Sequence, residues 1–186
     1  MNKQLYMILA CTFDGGIGLD DTIPWYMPED LKKFKKITTN VNDSDKMNAV
    51  IMGKNTWESL PKRPLTDRVN IVITRDYCFN PRYKNVIVLH SVQSALIYCH
   101  NNDVIENMFI IGGAIVYNDF LLNAENTKLI EKIYLSVMFY DKNHVLNKFI
   151  DIQQLFTKFK LIKDKEFEQQ SDNRLFASYI CIPRET

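Results

Sequence analysis

A chain of 186 residues with 46% hydrophobic content has enough apolar surface for one buried core, and it reads as a single domain spanning 1–186. A formal net charge of +1 excludes a strong global field that would draw in nucleic acid or a membrane surface, so any anion must be held by locally placed Lys and Arg. The cysteines (Cys11, Cys78, Cys99, Cys181) form no C-x-x-C pair and the histidines show no metal-ligand spacing, which favours buried thiols and assigns no metal.

The N-terminal apolar run, Leu5 to Ala10, is too short for a signal-peptide core or a membrane span, so cytoplasm is the simplest compartment. Being unbroken, the run reads as a strand buried on both faces, near the centre of a sheet. It ends in a Gly- and Asp-rich loop from Thr12 to Asp21, where Gly15, Gly16 and Gly18 permit positive φ and suggest a mobile lid. Pro28 suits a first helical position, and a helix is predicted from Pro28 to Thr38 with Glu29 and Asp30 in its first turn. On a 3.6-residue period Asp30 shares a face with Phe34 and Ile37, with Leu31 beside them, whereas Lys32, Lys33, Lys35 and Lys36 are expected to point elsewhere.

Further strands are predicted at Ala49 to Met52, Val69 to Thr74, Val86 to Leu89, Met108 to Ile111, Ile133 to Met138 and Phe176 to Ile182. Helices are predicted over Lys54 to Ser59, over Val92 to His100 behind a Ser91 cap, and over Ala114 to Leu122. No helix-length segment separates the last strands, so they are expected to pair antiparallel at one edge of a mainly parallel sheet. Two turns carry anion-binding character. Gly53-Lys54-Asn55-Thr56 offers backbone N–H groups, a lysine and a hydroxyl, although it lacks the first glycine of a P-loop, and Gly112-Gly113 opens the last predicted helix.

Asp30 has two readings. A carboxylate in a first helical turn is usually a favourable partner for the helix dipole and nothing more. Alternatively it is a lone carboxylate in a partly apolar cleft, where desolvation raises its pKa, the dipole lowers it, and a cationic or amidine-like ligand edge is its partner. The helix alone leaves both open.

From about Leu5 to Ile182 the chain resembles dihydrofolate reductase. The resemblance rests on Ile8-Leu9-Ala10, Gly16-Ile17-Gly18, Ile23-Pro24-Trp25, Met52-Gly53-Lys54-x-Thr56-Trp57-x-Ser59, Arg63-Pro64-Leu65-x-x-Arg68 and Ile111-Gly112-Gly113-x-x-Val116-Tyr117. It implies an α/β fold: a doubly wound, mainly parallel eight-stranded sheet with an antiparallel C-terminal edge strand and four main flanking helices. It also implies reduction of 7,8-dihydrofolate to 5,6,7,8-tetrahydrofolate by hydride transfer from NADPH, which supplies thymidylate, purine and one-carbon metabolism.

The same resemblance assigns residues. Asp30 falls on the family's carboxylate, which binds the pterin N3 and 2-amino group, and Ser136 stands where the family usually has a threonine bonded to it; both are candidate catalytic groups. Ile8, Leu9, Ile23, Leu31, Phe34 and Leu60 would line the substrate, and Arg68 would grip the glutamate tail, with Lys35 a weaker candidate. Cofactor contacts are implied for Ala10, Ile17, Gly18, Gly53, Lys54, Thr56, Ser59, Ile111, Gly112, Gly113 and Tyr117. Thr74 and Arg75 fall where the 2′-phosphate is recognised, so NADPH is expected over NADH. The implied partners are dihydrofolate and folate analogues, not nucleic acid or membrane, for a monomer unless it is part of a longer bifunctional chain.

Three departures stand out. Asp67 replaces the glycine common before the tail arginine, which Asp tolerates by visiting left-handed conformations. Ile115 lacks a cationic side chain found in some bacterial members. The usual acid and proline are missing near Leu146 to Ile150, so the lid is expected to be steadied differently. Two other functions keep much of the pattern: a related reductase acting on an aminopyrimidine, and a non-catalytic nucleotide- or RNA-binding protein. The first is not expected to combine Pro24-Trp25, Asp30 and Arg68; the second is expected to lose Asp30 or the Ser136 hydroxyl.

Overall fold

The apolar run Leu5–Thr12 (β1) lies deep in an eight-stranded sheet. The computed structural model describes residues 3–20, 22–83, 85–139, 145–165 and 176–184. After the glycine loop, which contains the short strand Gly16–Gly18 (β2), come helix Pro28–Thr39 (α1), strand Met47–Gly53 (β3), helix Lys54–Ser59 (α2), strand Arg68–Ile73 (β4) and strand Val86–Leu89 (β5). Helix Val92–His100 (α3), strand Ile105–Gly112 (β6), helix Ala114–Leu122 (α4), helix Ala124–Lys128 (α5) and strand Ile130–Met138 (β7) follow. The chain closes with strand Lys148–Phe149 (β8), helix Ile152–Lys158 (α6), strand Phe159–Lys163 (β9) and strand Phe176–Pro183 (β10).

The sheet order is β5-β4-β3-β6-β1-β7-β10-β9. All pairings from β5 to β7 are parallel, and β10 pairs antiparallel with both β7 and β9, so the antiparallel edge stands where it was expected, although α6, which the sequence reading did not place, lies between β7 and β9. Side-chain alternation separates two cores. On one face Met7, Leu9, Ile51, Ile110 and Leu135 pack under α3, α4 and α6; on the other Ile8, Val50, Met52, Phe109 and Ile111 pack with Trp57 of α2 and with Phe34 and Ile37 of α1. Phe120 is fully buried, a side chain whose removal from water contributes about 1.5–3 kcal/mol.

Local chemistry sets the helix ends. Pro28 opens α1 with no side-chain cap on its start, and Ser91 and Ser94 form a reciprocal capping box on α3. Asp67 sits at φ 59°, the left-handed conformation expected of it. Cys11, Cys99 and Cys181 are buried and Cys78 is exposed; none is in a disulfide, and burial pushes each of the three buried thiols up to about 12. Among the described residues no helix is long and apolar enough to cross a membrane.

One expectation is corrected, and one is narrowed. Lys33, placed on the solvated side of α1, is 1% exposed and points under the helix. It lies three residues from Asp30 and four before Ile37, so it belongs geometrically to the buried face. The three loop glycines do not all use positive φ: only Gly15 does, at 87°. Gly16 and Gly18 belong to β2, where space is the constraint; a Cβ on Gly16 would stand 2.7 Å from Thr12 Oγ1, and one on Gly18 3.0 Å from the Thr22 carbonyl.

Candidate active site

The first turn of α1 sets Asp30 above the sheet where β1, β7 and β10 run side by side. Register brings Ala10, Ser136 and Ser178 into one row. Ser136 Oγ donates to Asp30 Oδ1 at 2.5 Å. Burial raises the Asp30 carboxyl above the ordinary aspartate value, and the Ser136 hydrogen bond and the Lys33 charge only partly offset that rise. Of the two readings of Asp30, the geometry favours the partly buried carboxylate in a cleft over a solvated partner of the dipole.

Below Asp30 is a charge that the sequence reading missed. Lys33 Nζ donates to Ser136 Oγ at 3.5 Å and to Ser178 Oγ, and it lies 3.7 Å from Asp164 Oδ2. Ser178 Oγ in turn donates to Asp164 Oδ2 at 3.2 Å. The available signals were the i, i+3 spacing from Asp30 and a second serine directly across the ladder from Ser136.

Toward the far end of α1, Arg68 is buried beside the helix. Its Nε donates to the Thr66 carbonyl at 2.8 Å and its Nη1 to Thr38 Oγ1 at 2.7 Å, with the Phe34 ring centroid 5.7 Å from its Cζ. Phe34 and Leu60 pack partly buried against the core beneath the cleft. Leu31 and Ile23 are exposed at its mouth, and Lys35 is exposed on the outer side of α1. Ile8 faces the same core as Phe34, whereas Leu9 turns its side chain into the opposite core, so only the backbone of Leu9 is available to the cleft.

Beyond Ile8 the diglycine forms a narrow cradle. Gly112 sits at φ 110° and joins Gly113 through a cis peptide bond. A Cβ on Gly112 would stand 2.7 Å from the Tyr117 ring, one on Gly113 3.0 Å from Thr56 Oγ1, and one on Gly53 3.9 Å from the Gly113 nitrogen. The β3–α2 and β6–α4 turns therefore converge, and neither helix start carries a side-chain cap. Uncapped N–H groups beside side-chain-free backbone suit a diphosphate, and this fits the nucleotide half of a dinucleotide cofactor.

The remaining cofactor candidates are spread along this edge. Ile111 is buried before the diglycine, Tyr117 donates to the Ile8 carbonyl at 2.8 Å, and Ser59 bonds the Thr56 carbonyl at the end of α2. Lys54 pairs with Asp76 at 2.9 Å, a partner not anticipated, while Arg75 is exposed and Thr74 accepts from the Asp76 N–H. Gly18 is buried in β2 and Ile17 packs against the larger core, so their side of the loop touches protein.

A family model described as Dihydrofolate reductase matches residues 4–184. The chain belongs to the dihydrofolate reductase family. Among its relatives, a dihydrofolate reductase from Aedes albopictus is 37% identical over 139 residues, covering 72% of this chain and 73% of that protein. A putative dihydrofolate reductase from Caenorhabditis elegans is 37% identical over 144 residues, covering 74% and 72%. A bifunctional dihydrofolate reductase-thymidylate synthase from Arabidopsis thaliana is 42% identical over 143 residues, covering 72% of this chain but 26% of the relative. The matches therefore span about a quarter of the length of such bifunctional relatives.

Proposed function

We propose that this dihydrofolate reductase family member reduces 7,8-dihydrofolate to 5,6,7,8-tetrahydrofolate with NADPH, as one catalytic domain working in the cytoplasm. The observation that carries the reading is Asp30, a partly buried carboxylate held by Ser136 at 2.5 Å between an apolar ring site and a diglycine cradle. Bound NADPH would supply the hydride.

The chain's own residues divide the remaining work. Asp30 accepts hydrogen bonds from the amidine-like edge of the pterin, and a charged acceptor there both orients the ring and favours its protonated form. Ser136 fixes one Asp30 oxygen, so the carboxylate cannot swing away. Such acid assistance is typically worth roughly 10²- to 10⁴-fold in rate. Phe34 and Leu60 exclude water from the ring faces, and Leu31 and Ile23 close the mouth. Arg68 receives the α-carboxylate of the glutamate tail, its planar fork held in advance by Thr66 and Thr38. Lys35 reaches the same tail from outside.

For the cofactor, Gly53, Thr56, Gly112 and Gly113 would take the diphosphate, Ala10, Ile111 and Tyr117 the nicotinamide end, and Lys54, Thr74 and Arg75 the 2′-phosphate. Ile17, Gly18 and Ser59 would flank it. The test is loss of absorbance at 340 nm with dihydrofolate, comparing NADPH with NADH and wild type with Asp30→Asn. Oxidation of NADPH only when dihydrofolate is present, and loss of most of the rate in Asp30→Asn, is the expected result. A folded protein that binds NADPH and leaves dihydrofolate untouched would refute the substrate assignment.

A further inference from the structure

Lys33 is a cation with almost no solvent contact, 1% exposed, placed directly under the carboxylate to which the chemistry is assigned. Burying an ammonium is costly unless it is paired and hydrogen-bonded. Here both conditions are met through two arms, the one through Ser178 the tighter. One runs from Lys33 Nζ to Ser136 Oγ and on to Asp30 Oδ1; the other runs from Lys33 Nζ to Ser178 Oγ and on to Asp164 Oδ2. The two serines are direct cross-strand partners in the β7–β10 ladder.

The arms have a direction. An ammonium has three donors and no acceptor, so a serine oxygen that meets it must accept, and the serine's own proton must turn elsewhere. For Ser136 the outward acceptor is Asp30, and for Ser178 it is Asp164. A neutral side chain at position 33 would let Ser136 rotate and would take away the positive charge behind the carboxylate.

We propose that Lys33, with Asp164 as its counter-ion, is a positioning residue that aims the Ser136 hydroxyl at Asp30 and stabilises the ionised carboxylate from beneath. This rests on the reading of Asp30 as the group that engages the pterin. Lys33 touches neither substrate nor cofactor in that reading and acts only through Ser136 and its field.

The charged and titratable groups around the pair come from every packed element. Lys33 faces Asp30 on its own helix, Asp164 after β9 and Cys181 on β10; Asp30 faces Lys33, Ser136 on β7 and Tyr117 on α4; Tyr134 on β7 faces Asp164. Asp164 and Asp30 both favour the charged form of Lys33 against its burial, and Lys33 favours the charged form of Asp30. Removing the cation therefore moves the apparent pKa of Asp30 upward.

Lys33→Met alone would strand the Asp164 charge and endanger folding, so the test uses the double variant Lys33→Met/Asp164→Asn, which removes both charges together. The pH profiles of kcat and kcat/KM are read with deuterated NADPH, so that the chemical step is followed. The double variant is expected to shift the apparent pKa up by about one unit, with KM for dihydrofolate changed little. Ser178→Thr, which keeps the hydroxyl that meets Lys33 Nζ and changes only the packing beside it, is expected to keep the wild-type profile.

A double-variant profile that superimposes on wild type would overturn the proposal. So would an equal shift in Ser178→Thr, because disturbed packing rather than charge would then be the cause. Asp30→Asn separates this test from the one it rests on. If that variant keeps the wild-type rate, the reading of Asp30 fails; if it loses most of the rate while the double variant keeps its profile, only the role of Lys33 fails.

Discussion

The Tyr117 hydroxyl donates to the Ile8 carbonyl at 2.8 Å and so ties α4 to β1, the strand that runs under the cleft. Tyr117 is buried, its phenol pushed well above the ordinary range by desolvation, so it is a donor and never a charge. Tyr117→Phe keeps the ring against Gly112 and removes only the donor. We expect a stability loss of about 1–3 kcal/mol, the cost of leaving a buried carbonyl unpaired, measured as a lower urea midpoint with an unchanged slope. A variant as stable as wild type would mean that another donor replaces it.

Asp30 should cost the fold stability. Its folded-state pKa is raised above the ordinary 3.8, so the folded chain holds that proton more tightly than the unfolded chain. Stability from this group is then greatest below the unfolded value and is lost as pH rises through the folded value. Asp30→Asn cannot ionise and escapes that loss. Thermal melts across pH are expected to show the variant melting above wild type at pH 8, with the gap closing toward acid pH. A variant less stable than wild type at pH 8 would contradict the sign of the shift.

Much of this architecture was legible because local chemistry and packing agree. The spans of α2, α3 and α4 follow directly from Gly53, the Ser91 cap and the diglycine. The long apolar strands identify themselves, since a parallel sheet covered on both faces leaves no alternation to misread. What escaped were segments whose burial depends on the assembled sheet. Phe159–Lys163 mixes two lysines with three apolar residues without a clear period and becomes a strand because β10 is there to pair with it. In the site, Asp30 and Ser136 were readable from the resemblance, but Lys33 was not, because a lysine among lysines on a helix is ordinarily solvated. Ser178 and Asp164, far away in sequence, help to make its burial tolerable.

The Lys54–Asp76 pair predicts competition at the cofactor's phosphate end. At 2.9 Å and partly exposed, it contributes little to stability, and in the proposed cofactor site Lys54 would have to loosen from Asp76 to meet a phosphate. Asp76→Asn is expected to tighten NADPH binding by about twofold to fivefold, the scale of a solvent-screened surface ion pair. Arg75→Ala should weaken NADPH far more than NADH. Fluorescence titration with both cofactors checks each variant, and equal weakening of the two by Arg75→Ala would remove Arg75 from the 2′-phosphate site.

The glycine loop is held by a reciprocal pair rather than left free. Asp20 N–H donates to Asn147 Oδ1 at 2.8 Å, Asn147 Nδ2 donates to Asp20 Oδ1 at 2.7 Å, and Gly16–Gly18 pairs with Lys148–Phe149 alongside. Asn147 thus steadies the loop without the acid and proline that the family usually has at this edge. Both bonds are exposed, so losing them should barely alter global stability, within about 0.5 kcal/mol. The local effect should be larger, because a segment held by few buried contacts opens independently of the whole. Asn147→Ala is expected to speed amide exchange at Asp20 by about tenfold while exchange in β1 stays unchanged. Faster exchange in β1 as well would show that the loop and the central sheet open together, and that the clamp is part of the core's cooperative unit.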